Sequence, residues 1–295
     1  MKERGLVTDV ETKEIIFHTA VQSPIITTAE QRQKLILNAD YSKVDIDETV
    51  NQLENISTEV KQKLKTISKK TPNTFKGGLG TLKIKPMFRT KAQCLTIPCQ
   101  TFSNTQSLQA TTRKEAKRFQ DIGIWYHKPN VAWAAPTFIH PKKMGGVRIL
   151  TDLRELNKWI VCKPYPLPKI QDMLQKLEQF SYATALDLSM GYYHIPLDKE
   201  SQELCTTILP WGKYSYAKLP MGLCISPDIF QAVMNDLLGD LPYVLVYLND
   251  ILILNTKDET TDDHLRTIEE VLPRVENVGF AVNLRRSFFM QTELD

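Results

Sequence analysis

The order of apolar and polar residues along the chain predicts an alternation of short helices and short strands. Between residues 47 and 68, apolar residues recur at helical spacing, which predicts one helix with these residues on its buried face: Leu53, Ile56, Val60, Leu64 and Ile67. A second helix is predicted to begin at Thr112, because Thr112 and Glu115 have the spacing of a capping box, and to end at Gly123. Two further helices are predicted to begin near Pro168 and at a capping Ser226.

Apolar runs bounded by turn residues predict the strands. They cover residues 136–139, 147–150, 183–187, 205–209, 214–216, 243–248 and 251–254. The first two strands, the fourth and fifth, and the last two are separated only by short turns, which favours antiparallel pairs. Helices placed between antiparallel strands predict an α+β fold in which helices cover one face of a sheet.

Charge and composition change this picture in one place. The chain has 295 residues, is 42% hydrophobic and carries a net charge of only +3, so composition predicts a packed core and does not require a nucleic-acid partner. Between Lys61 and Lys91, however, there are ten Lys or Arg and no Asp or Glu. This run is either a solvated face or linker, or a strip that follows a phosphate backbone.

The cysteines and the termini favour an intracellular, cytoplasmic protein. Five cysteines without a Cys-x-x-Cys pair argue for a reducing compartment, and Cys94 and Cys99 lack further ligands for a zinc site. No apolar run approaches the roughly 20 residues of a membrane helix. The first residues lead into no signal segment, so no membrane partner is expected.

Two aspartates at strand ends are the candidate chemistry. Asp187 ends one apolar strand, and Asp250 lies at the turn between two others. A carboxylate at the end of a buried strand is costly unless a positive charge meets it, and two such ends side by side suit Mg²⁺. The alternative is that both are ordinary turn residues, which is the stronger case for Asp250 since Asn-Asp is common in hairpins.

Around these aspartates the chain resembles the polymerase of Gypsy-type LTR retrotransposons, a reverse transcriptase. The resemblance runs from about Thr112 to Asp295, with a weaker match back to Thr71, and rests on the number, order and spacing of several segments. These are residues 134–136, 142–143, 147–148, 151–157, 163–168, 186–192, 219–223 and 226–231, and Tyr247-Leu248-Asn249-Asp250. It implies the fingers and palm of a right-hand polymerase over 131–295, a connecting segment over 71–130, and an N-terminal segment of unknown role over 1–70.

The resemblance also implies an RNA-directed DNA polymerase that extends a primer on an RNA or DNA template with deoxynucleoside triphosphates. Two Mg²⁺ ions, or Mn²⁺, would be held by Asp187, Asp250 and the backbone carbonyl of Leu188. Such ions activate the primer 3′-hydroxyl and stabilise the pyrophosphate leaving group.

Residues for the nucleotide follow from the same match. Lys142 and Arg148 correspond to fingers cations that neutralise the triphosphate. Tyr192 corresponds to the ring that excludes a ribose 2′-hydroxyl, although Tyr192, like its neighbour Tyr193, could be a core aromatic. Met221 and Gly222 correspond to the floor of the nucleotide site. A buried Met more often only fills space, so the role expected of Met221 is one of shape. Arg154 corresponds to a residue that supports the fingers or contacts the template.

The chain departs from the family at Asn249, where an aspartate is expected. An amide oxygen ligates a hard cation more weakly than a carboxylate, so we expect a severely impaired or inactive polymerase. Pro273 interrupts a helical pattern, which costs about 3 kcal/mol or makes the helix kink or restart. The chain also stops at Asp295, before the primer grip and thumb of the family, so we expect a fragment. The alternatives are a catalytically dead nucleic-acid-binding module and a relic without a folded product.

Overall fold

The computed structural model describes residues 45–53, 56–75, 79–80, 82, 106–141, 146–162, 164–166, 180–256, 259–284 and 286–292, together with the backbone of two short N-terminal strands. Its elements, in chain order, are β1 (Val7–Asp9), β2 (Glu14–Ile16), α1 (Ile46–Asn51), α2 (Thr58–Lys70), α3 (Gln106–Asp121), β3 (Trp125–His127), β4 (Thr137–Pro141), β5 (Val147–Thr151), α4 (Arg154–Asn157), β6 (Phe180–Asp187), a 3₁₀ turn (Gly191–His194), α5 (Lys199–Leu204), β7 (Thr206–Leu209), β8 (Gly212–Tyr216), α6 (Ser226–Leu238), β9 (Val244–Tyr247), β10 (Asp250–Thr256), α7 (Thr261–Val278) and β11 (Phe288–Gln291).

The chain divides into two compact units. The first unit comprises Met1–Gly78, Pro166–Ser189 and Gln231–Asp295, and the second comprises Leu79–Tyr165 and Met190–Phe230. Among the described residues, no helix combines the length and the apolar character needed to span a membrane.

The first unit is built on a four-stranded antiparallel sheet of order β11-β6-β10-β9. Side chains alternate between the two faces of a strand, so Leu252 and Leu254 of β10 share a face with their partner residues Ala185 and Ala183 of β6. That face carries a buried apolar cluster: Ala183, Leu245, Tyr247, Leu248, Leu252 and Leu254.

Helix α7 packs against this sheet through His264, whose Nε2 lies 2.8 Å from Thr184 Oγ1 of β6. Helix α2 lies beside α7, and the two are joined by ion pairs such as Lys63–Asp262 at 2.8 Å. Further lysines of α2 also pair with carboxylates: Lys69 with Asp47 and Lys70 with Glu269. The part of the basic run that lies in α2 is therefore a partly neutralised helix face rather than a free cationic strip.

The second unit contains a three-stranded antiparallel sheet of order β3-β8-β7 and the hairpin pair β4-β5. Ala135 connects them, because its N–H donates to the Thr206 carbonyl at 2.7 Å and its carbonyl accepts from Ile208 N–H at 3.0 Å. An aromatic cluster fills the core of this unit. Trp125 contacts Phe119, Tyr214 and Tyr216, with ring centroids 4.9–5.8 Å apart.

The seven predicted strands agree with the structure to within a few residues, but β1, β2, β3 and β11 are not among them, and two helices differ from prediction. The single helix predicted over 47–68 is two helices, α1 and α2, because Ser57 starts a new helix by accepting from Val60 N–H at 3.3 Å. The predicted start at Thr112 is wrong. Thr112 lies inside α3, and its hydroxyl donates to the Leu108 carbonyl four residues earlier at 2.7 Å.

The other predictions about helices are confirmed only in part. Gly123 closes α3 at φ +73°, as predicted. Helix α6 begins at Ser226 as predicted, but the hydroxyl donates to the Pro220 carbonyl at 2.6 Å instead of accepting a helix N–H. Helix α7 runs through Pro273 without the restart considered above. The helix predicted near Pro168 lies outside the described residues.

Candidate active site

The strand pairing of the first unit places the two predicted carboxylates opposite each other. Asp187 is the last residue of β6, and Asp250 is the first residue of β10, not a turn residue; the two are direct partners in the antiparallel register. They lie on the sheet face that carries the apolar cluster, and only 10% of the Asp187 side chain is exposed. Like charges directly opposite each other are destabilising, so this sheet end calls for a cation.

Arg286 contributes a positive charge at this position. Its guanidinium lies 3.2 Å from Asp187 Oδ1. The same segment also holds the aspartate backbone: Asp187 N–H donates to Ser287 Oγ at 3.1 Å, and Asn283 N–H donates to the Asp187 carbonyl at 2.8 Å. These residues are not predictable from the sequence, because no local pattern relates them to a strand that ends about a hundred positions earlier.

The turn between β9 and β10 is strained, and a side chain of α6 stabilises it. Leu248 has φ +51°, a region that a branched side chain enters at a cost of about 1–3 kcal/mol. The buried Gln231 of α6 stabilises the turn, since its Oε1 accepts from Leu248 N–H at 2.9 Å and its Nε2 donates to the Val246 carbonyl at 3.0 Å. Gln231 lies in one of the segments that resemble the family. Its role could not be predicted, because the sequence does not show which strand it contacts.

Asn249 completes the turn; its backbone carbonyl is hydrogen-bonded but, within the part of the chain that the structure describes, its side-chain oxygen is not. Its carbonyl accepts from Leu188 N–H at 3.0 Å, which joins the turn to the end of β6. Its side-chain Oδ1, in contrast, is buried and has no hydrogen-bond partner among the described residues. A buried oxygen of this kind costs about 1–3 kcal/mol unless a donor or a cation reaches it.

The donor set at this sheet end consists of hard oxygen ligands, as a divalent cation requires. It comprises the carboxylates of Asp187 and Asp250, the amide oxygen of Asn249 and the predicted backbone ligand, the Leu188 carbonyl. In the described part of the chain, no group of three or more His, Cys, Asp or Glu could hold a metal. The donors at this sheet end still fit a hard cation because all of them are oxygen atoms, but only two of them are carboxylates.

The predicted fingers cations belong to the second unit. Arg148 is exposed on β5 opposite His140, and Lys142 lies outside the described residues. Arg154, with 80% of its side chain exposed, donates two hydrogen bonds to Asp152 at 2.7 and 2.8 Å. The Arg154 guanidinium lowers the pKa of Asp152, whose N–H donates to the Pro136 carbonyl. Asp152 thus links the Arg154 side chain to the backbone just before β4.

The two adjacent tyrosines of the 3₁₀ turn have different surroundings within the second unit. The Tyr193 ring lies 5.9 Å from Phe119 and 6.4 Å from Tyr216, inside the aromatic core. The Tyr192 ring lies 5.0 Å from Phe230, in the first part of α6. Both rings are buried and pack on buried aromatic neighbours, as the core role considered for either tyrosine requires.

The loop before α6 carries the other predicted nucleotide residues. Met221 was expected to be buried, but 52% of it is exposed, because it lies at the turn of the loop and not in the core. Gly222 is packed closely: a Cβ at this position would lie 3.2 Å from the Thr151 carbonyl oxygen. The Asn157 side chain fixes the loop by donating to the Gly222 carbonyl at 3.0 Å and accepting from Cys224 N–H at 2.9 Å.

The chain is similar in sequence to the reverse transcriptase family and to transposon polyproteins. A sequence model of the family described as "Reverse transcriptase (RNA-dependent DNA polymerase)" matches residues 140–295. The chain is 31% identical over 163 residues to the transposon Tf2-7 polyprotein of Schizosaccharomyces pombe, a match that covers 55% of this chain and 12% of the relative. It is 32% identical over 171 residues to the retrovirus-related Pol polyprotein from transposon 297 of Drosophila melanogaster, covering 56% and 16%.

Solved structures share the fold. A foamy viral protease–reverse transcriptase in complex with double-stranded DNA superposes with a TM-score of 0.76 at 23% identity, covering 84% of this chain and 44% of the other. The foamy viral enzyme in complex with an RNA/DNA hybrid gives 0.72 at 22% identity, covering 90% and 34%.

The fold is therefore α+β and corresponds to the fingers and palm of a polymerase. The chain belongs to the reverse transcriptase family, as the resemblance from sequence predicted. It spans less than a fifth of the length of the transposon polyproteins that it matches.

Proposed function

We propose that the chain is the reverse transcriptase domain of a Gypsy-type retrotransposon polyprotein, built for template-directed addition of deoxynucleotides to a primer 3′-hydroxyl. The observation that carries this proposal is the direct cross-strand pairing of Asp187 with Asp250 at the end of a buried antiparallel sheet. Two carboxylates opposed in this way repel each other, and oxygen donors gathered at one sheet end suit a hard cation such as Mg²⁺.

Within this proposal, Asp187, Asp250 and the Leu188 carbonyl hold Mg²⁺ or Mn²⁺. The chemistry that bound ions supply is activation of the primer hydroxyl and stabilisation of the pyrophosphate leaving group. Arg286 orients the Asp187 carboxylate and offsets its charge while the site is free of metal. Gln231 holds the strained turn so that Asp250 stays opposite Asp187.

The second unit contributes nucleotide and template contacts under the same proposal. Lys142 and Arg148 neutralise the triphosphate, and Arg148 is exposed as this role requires. Tyr192 excludes a ribose 2′-hydroxyl, while Gly222 keeps the floor of the nucleotide site free of a side chain. Arg154 braces the fingers through Asp152. The expected partners are an RNA or DNA template with its primer and deoxynucleoside triphosphates.

Asn249 sets the level of activity that we propose for this copy. Its side chain brings an amide dipole where a full negative charge is expected, and the attraction of a hard dication for the site falls accordingly. The hydrogen bond from Leu188 N–H to the Asn249 carbonyl uses only the backbone, so the turn does not depend on the side chain. An impaired enzyme on an intact palm is the expected result.

The test is primer extension on an RNA template by the wild-type chain and its Asn249→Asp variant, with Mn²⁺ binding followed by titration calorimetry. We expect the variant to extend primers at least about 100-fold faster and to bind Mn²⁺ more tightly, since one restored ligand in a charged site is worth several kcal/mol. Asn130→Asp, which adds the same charge in an exposed loop of the second unit, is the matched control. Equal extension rates for wild type and Asn249→Asp would overturn the impairment.

A second function, nucleic-acid binding without catalysis, is favoured by the small number of carboxylates at the sheet end. In that case the wild-type chain binds primer–template with an affinity that falls steeply with salt and gains nothing from Mg²⁺. Fluorescence anisotropy at several salt concentrations, with and without Mg²⁺, separates the two functions. A Mg²⁺-dependent gain in affinity that is lost in Asp187→Asn favours the polymerase.

A further inference from the structure

Two exposed cysteines of the second unit lie in direct contact. The Sγ atoms of Cys162 and Cys224 are 3.4 Å apart, although 62 positions separate the residues in the chain. A disulfide bond is about 2.0 Å long, so the two sulfurs have to approach by only about 1.4 Å to form one. Exposure of both thiols means that a small oxidant can reach them.

The backbone around the pair is fixed by groups other than the thiols. Asn157, at the end of α4, bonds both to the Gly222 carbonyl and to Cys224 N–H. The Ser226 hydroxyl holds the Pro220 carbonyl at the start of the same loop. Cys162 follows the buried Ile160, whose carbonyl lies 4.0 Å from its sulfur. The two thiols are thus brought together by the fold and do not need to find each other.

We propose that Cys162 and Cys224 form a redox-active dithiol that closes to an intramolecular disulfide on reaction with glutathione disulfide. In the first step one cysteine thiolate attacks a glutathione sulfur and releases one glutathione thiolate. In the second step the other cysteine thiolate attacks the protein-bound sulfur and releases the second glutathione. Both protein thiols lose their protons and are oxidised together by two electrons, and one glutathione disulfide is reduced to two glutathione molecules.

The surroundings of the thiols set the pH dependence of closure. Cys224 is exposed as a residue, but partial desolvation of its sulfur, followed by the hydrogen bond with Cys162, raises the pKa of its thiol to about 11. Because the thiolate is the reacting form, closure is expected to be faster at pH 9 than at pH 7. The third described cysteine, Cys205, provides an internal control: it is fully buried and its pKa is raised further by desolvation, so it should not react in the folded chain.

The disulfide would join the segment after α4 to the loop before α6. That loop carries Met221 and Gly222, and its backbone is already held by Asn157. A covalent bond at Cys224 would restrict it further, which amide hydrogen exchange of residues 221–224 can detect as slower exchange in the oxidised chain. This consequence does not depend on the role proposed for the loop in nucleotide binding.

The experiment uses the full chain with Cys94→Ser and Cys99→Ser, so that these two thiols do not contribute. The folded protein is incubated with glutathione disulfide, the remaining thiols are alkylated, and tryptic peptides are examined by mass spectrometry. We expect loss of two hydrogen atoms per molecule, a peptide that links Cys162 to Cys224, and full reversal by dithiothreitol. Cys162→Ser and Cys224→Ser should each stop at a stable glutathione adduct on the remaining cysteine.

Three results would overturn the proposal. One is a pair of separate glutathione adducts, on Cys162 and Cys224, without a link between them. Another is a link that forms between two molecules and appears as a dimer on a non-reducing gel. The third is a link that forms at the same rate in denaturant, since a contact made by the fold should then be lost. An Asn157→Ala variant that stays folded but closes more slowly supports the role of the loop contacts.

Discussion

The second unit connects its buried hydroxyl groups in a chain, whereas the sheet of the first unit ends in two carboxylates that repel each other and a buried amide oxygen that has no hydrogen-bond partner among the described residues. In the second unit, Thr207 Oγ1 lies 2.6 Å from Thr137 Oγ1 and 3.1 Å from Thr151 Oγ1, which in turn lies 2.9 Å from the Tyr216 hydroxyl. In the first unit, Asp187 and Asp250 oppose each other beside the buried Oδ1 of Asn249.

The difference separates structural polar groups from functional ones. A connected network of hydroxyl groups satisfies its members and fixes the registry of β4, β5, β7 and β8. Opposed carboxylates and a strained Leu248 cost stability, and such costs are typical of sites that bind a ligand. Substitutions of Asp187 and Asp250 at the sheet end of the first unit should therefore change metal binding and activity, and substitutions in the hydroxyl network of the second unit should change stability alone.

The largest effect is expected from Asp187→Asn. The change removes half of the opposed pair and leaves Arg286 without its carboxylate, so metal binding should fall at least about tenfold and primer extension by an Asn249→Asp background at least about 100-fold. Calorimetric titration with Mn²⁺ and extension assays measure both. Asp236→Asn, an exposed residue of α6, is the control. Unchanged Mn²⁺ affinity in Asp187→Asn would mean that the carboxylates at this sheet end do not bind metal.

Gln231→Ala should cost about 3–4 kcal/mol of unfolding free energy, because Leu248 N–H and the Val246 carbonyl each lose a buried partner. Denaturant unfolding measures the loss. Gln231→Glu separates the two bonds, since a carboxylate can accept from Leu248 but an ionised one cannot donate to Val246. A cost below about 1 kcal/mol for both variants would mean that the turn holds its strained geometry without Gln231.

Stability should also depend on His264. Burial lowers its pKa to about 4, against 6.5 for the free side chain. As pH falls below 6.5 the unfolded chain takes up the proton first, so the unfolding free energy falls by up to about 3 kcal/mol between pH 6.5 and 4 and is unaffected by this group above pH 6.5. Unfolding of wild type and His264→Gln at pH 7.5 and pH 5 isolates the effect. Parallel losses in both proteins would assign it to other groups.

The smallest effect is expected in the second unit. Thr207→Val keeps the shape of a fully buried side chain but breaks the hydroxyl chain at its centre, which should cost about 1–2 kcal/mol. Mn²⁺ affinity should stay the same, because the network belongs to the other unit. Thermal unfolding and the same titration test both statements. A change in Mn²⁺ affinity would show that the separation between structural and functional polar groups is not as clean as we infer.

Much of the strand structure could be predicted from local pattern, and so could the positions of Asp187 and Asp250 at strand ends. Apolar runs and turn residues are local signals, and the segments that resemble the reverse transcriptases are contiguous in the chain. Helix boundaries were less predictable. The start of α2 at Ser57 and the position of Thr112 inside α3 depend on which of several possible caps the packed chain uses.

The sequence by itself determined the family and the α+β class, because these depend on the identity and spacing of residues. It also predicts that Asn249 stands where the family has an aspartate. The tertiary structure alone decided that Asp187 faces Asp250 and Arg286, that Gln231 holds the strained turn at Leu248, and that Cys162 touches Cys224. Each of these contacts joins residues far apart in the chain. Periodicity reports which face of an element is buried, but it carries no information about which distant element covers that face.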